Sequence, residues 1–446
     1  MNRDGNREHI VIVGGGFGGL ELARALRKSP VLVTLVDRHN YHLFQPLLYQ
    51  VATGALSPAN IASPLRNVLR RQHNVRVLLG EVKTIDVPAR RLMLDDNWLS
   101  YDTLVLAAGS SHSYFGHDEW ASLAPGLKSI DDATDIRRRV LLAFEHAEKS
   151  RGESHGELLT FVVIGAGPTG VELAGALAEI AKDTLRHEFR TIDPTTANVI
   201  LVEGADRVLP TYPPELSARA LQALEQLGVQ VRTGTRATQI DPTGVVLAQG
   251  DHEQRIATRN VLWAAGVEAS PLGRALADAT EATLDRAGRV SVKQDFTIPG
   301  HPEIFVIGDM ASYSAADGKP LPAVAPVAIQ EGKYVAQLIN ARLTSAPEPP
   351  LFAYKDWGMM ATIGRMRGVA ELRGWRFSGA SAWLIWLFVH LMQIARFENR
   401  LLVLIQWAWH FLTRNRSARL ITGNETSRLA DCPPLEPATL EPKPGP

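Results

Sequence analysis

The chain is nearly free of cysteine. Cys432 is the single cysteine among 446 residues, so one chain can form no disulfide, CxxC relay or cysteine-ligated iron–sulfur cluster by itself. Any redox chemistry would therefore have to be carried by a bound cofactor.

Other signals are also missing. The 47 basic and 47 acidic residues cancel, so the net charge does not indicate a nucleic-acid partner. With 45% hydrophobic and 21% charged residues, the composition is globular and excludes a disordered chain or a polytopic membrane protein. The first apolar run, residues 9–13, is too short for a signal peptide, so we expect a cytoplasmic body of two or three domains. His39 and His42 have no partner cluster, and we expect no metal site.

One pattern occurs twice. Residues 9–37 and 160–203 each predict a strand, a glycine turn, a helix and a second strand. The glycines have the G-x-G-x-x-G spacing: Gly14, Gly16 and Gly19, then Gly165, Gly167 and Gly170. In this context the first glycine allows a tight turn, the second a close approach of pyrophosphate, and the third close packing of helix and strand. The helix N-terminus then faces the phosphates. The sequence thus predicts two dinucleotide sites.

An acid ends the second strand of each unit. Asp37 lies 18 residues past Gly19, and Glu203 lies 33 past Gly170, with a charged helical extension expected over residues 182–193. Either acid can bind a ribose hydroxyl, and Glu203 would repel a 2′-phosphate, which favours NADH over NADPH. Three further strands, 103–109, 261–266 and 304–309, end in small residues or Gly-Asp, typical of FAD or NADH sites. These strand ends add Gly109, Gly308 and Asp309 to the residues expected to bind FAD, and Gly266 to those expected to bind NADH.

The order of these units predicts an α/β fold with two Rossmann-like domains, as in glutathione reductase. The FAD domain would comprise residues 8–112 and 270–343, and the NADH domain residues 157–267 would be inserted between them. Residues 131–150 predict a connecting helix with acids near its start.

The last third differs in composition. Residues 351–422 carry ten basic and three acidic side chains, a balance of +7 that the rest of the chain offsets, and six of the nine tryptophans. Residues 377–395 and 401–413 are uncharged apolar stretches. They favour helices lying in a membrane surface, but a dimer interface or core, or a membrane span, stays open. The Pro-rich tail, 423–446, is expected to be disordered.

These motifs together resemble the type II NADH dehydrogenases, the single-subunit NADH:quinone oxidoreductases. The similarity extends from about residue 9 to residue 423. It includes RHNYHLFQPLLYQVATG at 38–54, GAGPTGVELAG at 165–175, LPAVAPVAIQEGKY at 321–334 and FAYKDWGMMATIG at 352–364.

The resemblance implies an enzyme in which NADH reduces FAD, and the flavin reduces a membrane quinone without proton pumping. It further implies a monotopic homodimer on the cytoplasmic face of the cell membrane. Glu172 is then expected to assist quinone protonation, although an acid may simply complement a helix N-terminus. The expected quinone residues are Pro46, Ala325, Ile329 and Gln330, with Gln330 also a catalytic candidate.

Two positions depart from the family pattern. Pro326 replaces the first glutamine of A-Q-x-A-x-Q, which removes one polar contact to a quinone and suits a helix start. Trp357 stands where many members have lysine, so a charge relay through that lysine is not expected here.

Two other functions stay open from the sequence. One is a soluble flavin NADH oxidase or carrier reductase, against which the basic, Trp-rich segment 351–422 argues. The other is a binding protein whose association responds to flavin reduction, against which Glu172 and the 321–334 helix argue.

Overall fold

The computed structural model describes residues 7–150, 155–315, 318 and 320–422. Cys432 and the tail 423–446 lie outside the described residues. Within these ranges the strands are β1 His9–Val13, β2 Leu32–Asp37, β3 Tyr41–Leu43, β4 Ala62–Pro64, β5 Val75–Leu79, β6 Val82–Asp86, β7 Arg91–Leu94, β8 Asn97–Ser100, β9 Thr103–Leu106, β10 Ser110–His112, β11 Thr160–Ile164, β12 Asn198–Val202, β13 Val229–Arg232, β14 Arg236–Asp241, β15 Gly244–Gln249, β16 His252–Ala257, β17 Asn260–Trp263, β18 Val267–Ala269, β19 Val290–Ser291, β20 Thr297–Ile298, β21 His301–Val306, β22 Ala311–Ser312, β23 Met359–Thr362, β24 Gly368–Leu372 and β25 Trp375–Ser378.

The α-helices in the same ranges are α1 Phe17–Ala25, α2 Leu48–Ala52, α3 Pro58–Ile61, α4 Leu65–Val68, α5 Ile130–Lys149, α6 His155–Leu158, α7 Pro168–Glu179, α8 Pro214–Gln226, α9 Leu272–Ala279, α10 Ala325–Thr344, α11 Ala380–Gln393 and α12 Phe397–Thr413. Single 3₁₀ turns occupy Leu26–Lys28, Gln45–Leu47, Asp118–Ser122, Pro194–Thr196 and Gly308–Met310, and a π-helical turn spans Ile180–Thr184.

The first glycine-loop strand lies inside a six-stranded sheet of order β20-β21-β9-β1-β2-β5. All its pairs are parallel except β20–β21. Because both faces are covered, β1 and β9 are nearly continuous runs of buried aliphatic residues. Helices α1 and α10 pack backbone to backbone, since a Cβ on Gly332 would lie 2.5 Å from the Gly18 carbonyl oxygen. The sheet thus joins strands from both ends of the body.

The second glycine-loop strand, β11, lies in a parallel sheet of order β13-β12-β11-β17. Every residue of β11 and β17 is buried. A three-stranded antiparallel sheet, β14-β15-β16, follows β13 in the chain. In both sheets the glycine-loop strand pairs with the acid-bearing strand on one side, β2 or β12, and with a later parallel strand on the other. The two units are therefore built alike.

The connecting helix predicted over residues 131–150 is present as α5, with acidic residues in its first turn. Ser129 and Asp132 form a capping box there, in which the Ser129 hydroxyl accepts from the Asp132 N–H at 3.1 Å. The predicted helical extension over residues 182–193 is wrong, because helical structure ends at Thr184 and the following residues form a loop. Glu148 explains the loop, because its carboxylate accepts the backbone N–H groups of Arg190, Thr191 and Ile192.

The last third contains a sheet that the sequence analysis did not anticipate. Strands β23, β24 and β25 form an antiparallel sheet against which α11 packs. The apolar stretch 377–395 is therefore divided, since Phe377 and Ser378 belong to β25 and Gly379, with φ 72°, separates them from α11. Helix α12 follows, and Asn399 ties it to the body by donating to the carbonyls of Ala59 and Asn60 at 3.0 Å.

Candidate functional site

The two glycine loops have the same geometry at their first and third glycines. Gly14 and Gly165 have φ of +109° and +98°, a region that favours glycine. A Cβ on Gly19 would lie 1.9 Å from the Gly14 carbonyl oxygen, and one on Gly170 would lie 1.8 Å from the Gly165 oxygen. Any side chain at the third glycine would therefore force the helix away from its loop.

The second glycine of each loop is open. A Cβ built on Gly16 or Gly167 would meet no described atom within 4 Å. Each of these glycines is also the residue before the first turn of its helix, α1 or α7. Open space in front of the unpaired N–H groups of a helix start is what a dinucleotide pyrophosphate requires, so both loops fit that ligand.

The acids predicted to bind ribose occupy equivalent positions. Asp37 accepts the Gly15 N–H at 2.6 Å, and Glu203 accepts the Ala166 N–H at 2.7 Å, in each case from the residue after the first glycine. Both carboxylates thus lie beside the turn that faces the ligand. Arg207 does not contact Glu203 in the described hydrogen bonds; its guanidinium donates to the Pro210 carbonyl at 2.8 Å.

The strand ends predicted for FAD come together at the first sheet. Asp309 accepts the Ser110 hydroxyl at 2.6 Å, directly after Gly109. The Lys128 ammonium donates to the Ser110 oxygen at 2.7 Å and lies 3.9 Å from Asp309. Burial lowers the pKa of the Lys128 ammonium, and Asp309 opposes that change. Lys128 could not be predicted from the sequence, because it lies in a loop with no motif around it.

Glu331 is a second residue that the motif search passed over. It is 1% exposed, and its carboxylate accepts the backbone N–H of Gly308. Burial raises the pKa of the Glu331 carboxyl to about 8, with a smaller contribution in the same direction from Asp309 and an opposing one from the Gly308 N–H. Glu331 is a charged residue on the buried face of α10. That face can be recognised only from the packing of α10 against α1, and not from the sequence.

Glu172 lies on α7 and is 8% exposed. Its carboxylate accepts the Thr362 N–H, from β23, at 3.4 Å. Burial raises the pKa of the Glu172 carboxyl to about 8, although the Thr362 N–H and the Trp386 side chain oppose the change. At neutral pH this carboxyl is therefore mostly protonated, which suits a proton donor.

A small cavity of about 70 Å³ lies beside Glu172. Helices α2, α7, α11 and α12, with β23, supply its walls. Four of its aromatic lining residues come from the C-terminal helices: Trp383, Trp386, Trp407 and Phe411. Its lining also includes the polar or charged residues Tyr49, Gln50, Glu172, Glu179, Thr362, Arg365, His410 and Arg416. The C-terminal segment thus forms part of the wall around Glu172.

A buried ion pair closes one side of this cavity. Arg416, 3% exposed, binds the Glu179 carboxylate at 3.0 Å and donates to the Thr53 carbonyl at 3.2 Å. Glu179 also accepts the Arg365 N–H. Burial, together with Arg416 and Arg365, lowers the pKa of His410 to about 4, so that imidazole is neutral at physiological pH. The ion pair was not found from the sequence, because its partners are far apart in the chain.

The predicted quinone residues lie elsewhere. Ala325 and Ile329 are on α10 near its start, where Pro326 occupies the first turn, and Pro46 is in the 3₁₀ turn before α2. The Gln330 amide donates to the Lys355 carbonyl and accepts the Lys355 N–H, both at 3.0 Å. None of these four is among the described residues that line the cavity at Glu172.

The C-terminal helices expose large apolar side chains. On α11 these are Leu384, Phe388 and Met392, and on α12 they are Phe397, Leu401, Leu402, Leu404, Ile405, Trp409 and Leu412. We call this set the apolar face. Among the helices that the structure describes, none is both long enough and apolar enough to cross a membrane. In the same ranges no group of three His, Cys, Asp or Glu side chains could hold a metal ion.

Each glycine loop, together with the acid at the end of its second strand, has the geometry of a dinucleotide site, and we call these two sites the cradles. Two such cradles in one chain define a pyridine nucleotide-dependent flavoprotein. Residues 8–332 match the pyridine nucleotide-disulphide oxidoreductase family. The chain is 47% identical over 427 residues to the type II NADH:quinone oxidoreductase Ndh of Mycobacterium tuberculosis, covering 94% of this chain and 91% of that protein. It is 30% identical to the Staphylococcus haemolyticus type II NADH:quinone oxidoreductase, covering 84% and 92%.

Solved structures agree on the fold. NDH2 from Plasmodium falciparum, in complex with NADH, superposes with a TM-score of 0.85 at 20% identity and covers 94% of this chain and 100% of that one. The sulfide:quinone oxidoreductase of Aquifex aeolicus gives 0.68 at 18% identity, covering 86% and 90%. The chain belongs to the type II NADH:quinone oxidoreductases, and the predicted fold class and family resemblance are confirmed.

Proposed function

We propose that this chain oxidises NADH and passes two electrons through FAD to a membrane quinone, without pumping protons. The observation that carries the proposal is the pair of matching cradles in one chain, with Glu172 in the second turn of the NADH-side helix. FAD, when bound, accepts hydride from a nicotinamide and delivers electrons to a quinone. The remaining chemistry belongs to the residues that hold and protonate the reactants.

The first cradle binds FAD and the second binds NADH. Gly14, Gly16 and Gly19 would face the FAD pyrophosphate, Asp37 its ribose, and Gly109, Gly308 and Asp309 its central part. Gly165, Gly167, Gly170, Glu203 and Gly266 would serve NADH in the same way. The carboxylate of Glu203 disfavours a 2′-phosphate, and Arg207, bonded to a backbone carbonyl, is not placed to offset it. This supports NADH over NADPH.

Glu172 supplies a proton during quinone reduction. Reducing a quinone to a quinol takes up two electrons and two protons, and NADH brings only one proton with its electrons. A carboxyl with a pKa near 8 holds the other at neutral pH and can recover it from water through the adjoining cavity. Pro46, Ala325, Ile329 and Gln330 would contact the quinone, with Gln330 also holding the segment around Lys355 against α10.

The apolar face attaches the protein to the membrane surface from the cytoplasmic side. Leu401 and Ile405 on α12 are 49% and 57% exposed, and an exposed surface of this kind is typical of interfacial binding. A homodimer could use part of the same helices. Sedimentation of the protein with lipid vesicles, and its mass in detergent-free solution, test these two points separately.

Steady-state turnover tests the proposed function. FAD-loaded protein is assayed for NADH oxidation with menadione as acceptor, with and without anionic lipid vesicles. We expect a quinone-dependent rate that far exceeds the rate with oxygen alone. A flavin-loaded protein with no quinone-dependent rate would refute the proposal and favour a binding protein that responds to flavin reduction.

A further inference from the structure

A chain of buried hydrogen bonds connects α12 to Glu172. The Trp407 indole N–H donates to Gln50 Oε1 at 2.7 Å, and Gln50 Nε2 donates to Tyr49 Oη at 3.1 Å. Tyr49 Oη lies 2.9 Å from Thr362 Oγ1, and the Thr362 N–H donates to Glu172. Gln50 and Tyr49 are each 8% exposed, and Thr362 is 3% exposed. The chain therefore runs through the protein interior, from a C-terminal helix to the acid.

The direction of these bonds is fixed at Trp407. An indole N–H can only donate, so it holds the Gln50 carbonyl oxygen and turns the amide NH₂ toward Tyr49. Of the two groups bonded to Tyr49 Oη, only Thr362 Oγ1 can accept, so the phenol donates to it. The Thr362 hydroxyl hydrogen is then left to point away from Tyr49, in a residue that lines the cavity with Glu172. One indole thus orders three side chains.

We propose that Trp407 is a positioning residue for quinone reduction: through Gln50 and Tyr49 it fixes the Thr362 hydroxyl, on the residue whose backbone N–H bonds Glu172. The inference rests on the proposed function. It gives α12 a role beyond its apolar face, because Trp407 faces the body while Trp409, two residues on, is 60% exposed. The membrane-facing helix would in this way act on the proton donor.

The test replaces Trp407 by Phe and uses Trp375→Phe, at a residue of β25 that is 74% exposed, as the matched control. The flavin of each FAD-loaded protein is reduced anaerobically with NADH and then mixed with menadione in a stopped-flow instrument. For W407F we expect unchanged flavin reduction and roughly tenfold slower reoxidation, since a buried amide loses its partner and its orientation. W375F should match the parent protein in both steps.

The pH profile separates positioning from a general loss of structure. A shift of Thr362 would lengthen the 3.4 Å bond that its backbone N–H donates to the Glu172 carboxylate, so the profile of reoxidation in W407F should move to higher pH. Other charged or titratable groups also face this site and stay in place in the variant: Tyr49, Tyr212, Glu179, Arg365, His410 and Arg416. A shared profile for W407F and W375F would overturn the proposal.

Further variants keep the test decisive. If W407F fails to retain flavin, Tyr49→Phe removes only the hydroxyl, and wild-type reoxidation in Y49F would overturn the proposal. The double variant Q50L/W407F should lose little more than W407F alone, because both act through one chain, whereas additive losses would contradict it. A parent protein with no quinone-dependent reoxidation would instead refute the proposed function itself.

Discussion

Replacing Glu172 by glutamine should stabilise the protein at high pH and slow it at every pH. The folded carboxyl has a pKa of about 8 against an ordinary value of 4.5. Between these values the folded chain binds more protons than the unfolded chain, so the contribution of Glu172 to stability falls as pH rises through that window. At about 1.4 kcal/mol per pH unit, the full penalty is about 5 kcal/mol once the carboxyl is ionised.

The assay is thermal unfolding of the flavin-loaded proteins at pH 5, 7 and 9, at one heating rate. Glutamine matches the neutral acid in size and cannot ionise. The midpoint of E172Q should therefore lie near the wild-type midpoint at pH 5 and exceed it by about 5 °C or more at pH 9. Glu225→Gln, at an exposed position on α8, is the control. A constant difference between E172Q and the parent across this range would refute the buried-acid assignment.

The same variant tests the catalytic role. Because glutamine has no proton to give, E172Q should lose quinone turnover while retaining its bound flavin and its reduction by NADH. The readout is the ratio of quinone-dependent rate to flavin content. Equal turnover at native flavin content would refute a catalytic role for Glu172.

Three further predictions concern the cradles, the ion pair and the apolar face. Gly19→Ala should abolish flavin binding, whereas Gly170→Ala should retain the flavin but abolish its reduction by NADH. The reason is that the new Cβ would lie 1.9 Å (Gly19) or 1.8 Å (Gly170) from a carbonyl oxygen of its own loop. Absorption spectra recorded before and after addition of NADH test this, and identical spectra for the two variants would contradict the assignment. Arg416→Met should destabilise by about 3–5 kcal/mol, since a buried carboxylate loses its partner; an unchanged unfolding midpoint would contradict this. Leu401→Glu should weaken sedimentation of the protein with anionic vesicles. Leu79→Glu should not, although the Leu79 side chain, on the nucleotide-binding body, is 59% exposed. Equal vesicle binding by the two variants would show that the apolar face does not attach the protein to the membrane.

The cradles could be predicted from the sequence because their geometry is local. Each is one strand, one turn and one helix, and the roles of Gly14 and Gly165 follow from backbone conformation alone. The acids Asp37 and Glu203 could be predicted as well, since the strand order of such a unit brings the end of its second strand to the loop. The insertion before Glu203 was predicted to be helical, but most of it is a loop. Its backbone is held by Glu148, a residue of another helix, and the local sequence does not report that contact.

The surroundings of Glu172 could not be predicted in this way. Trp407 and Gln50 are 357 positions apart, and Arg416 and Glu179 are 237 apart. No periodicity or spacing in one sequence reports such contacts. Their existence depends on where α12 and the segment after it return to the body, which is decided by tertiary packing.

The charge asymmetry shows the same limit. Taken alone, the basic excess of residues 351–422 would indicate an attraction to anionic lipid. In the structure, four of those arginines pair with acids of the body: Arg376 with Glu215, Arg414 with Asp183, Arg416 with Glu179 and Arg419 with Glu188. Part of the asymmetry therefore attaches the C-terminal segment to the nucleotide-binding body. The apolar face, rather than the net charge, supports the proposed membrane contact.

One measurement tests the central claim most directly. The FAD-loaded protein is mixed anaerobically with one equivalent of NADH, then with menadione, while flavin absorbance is followed. Our account predicts complete bleaching by NADH and complete recovery on adding quinone, with one quinol formed per NADH consumed. A flavin that NADH bleaches but quinone does not restore would contradict it.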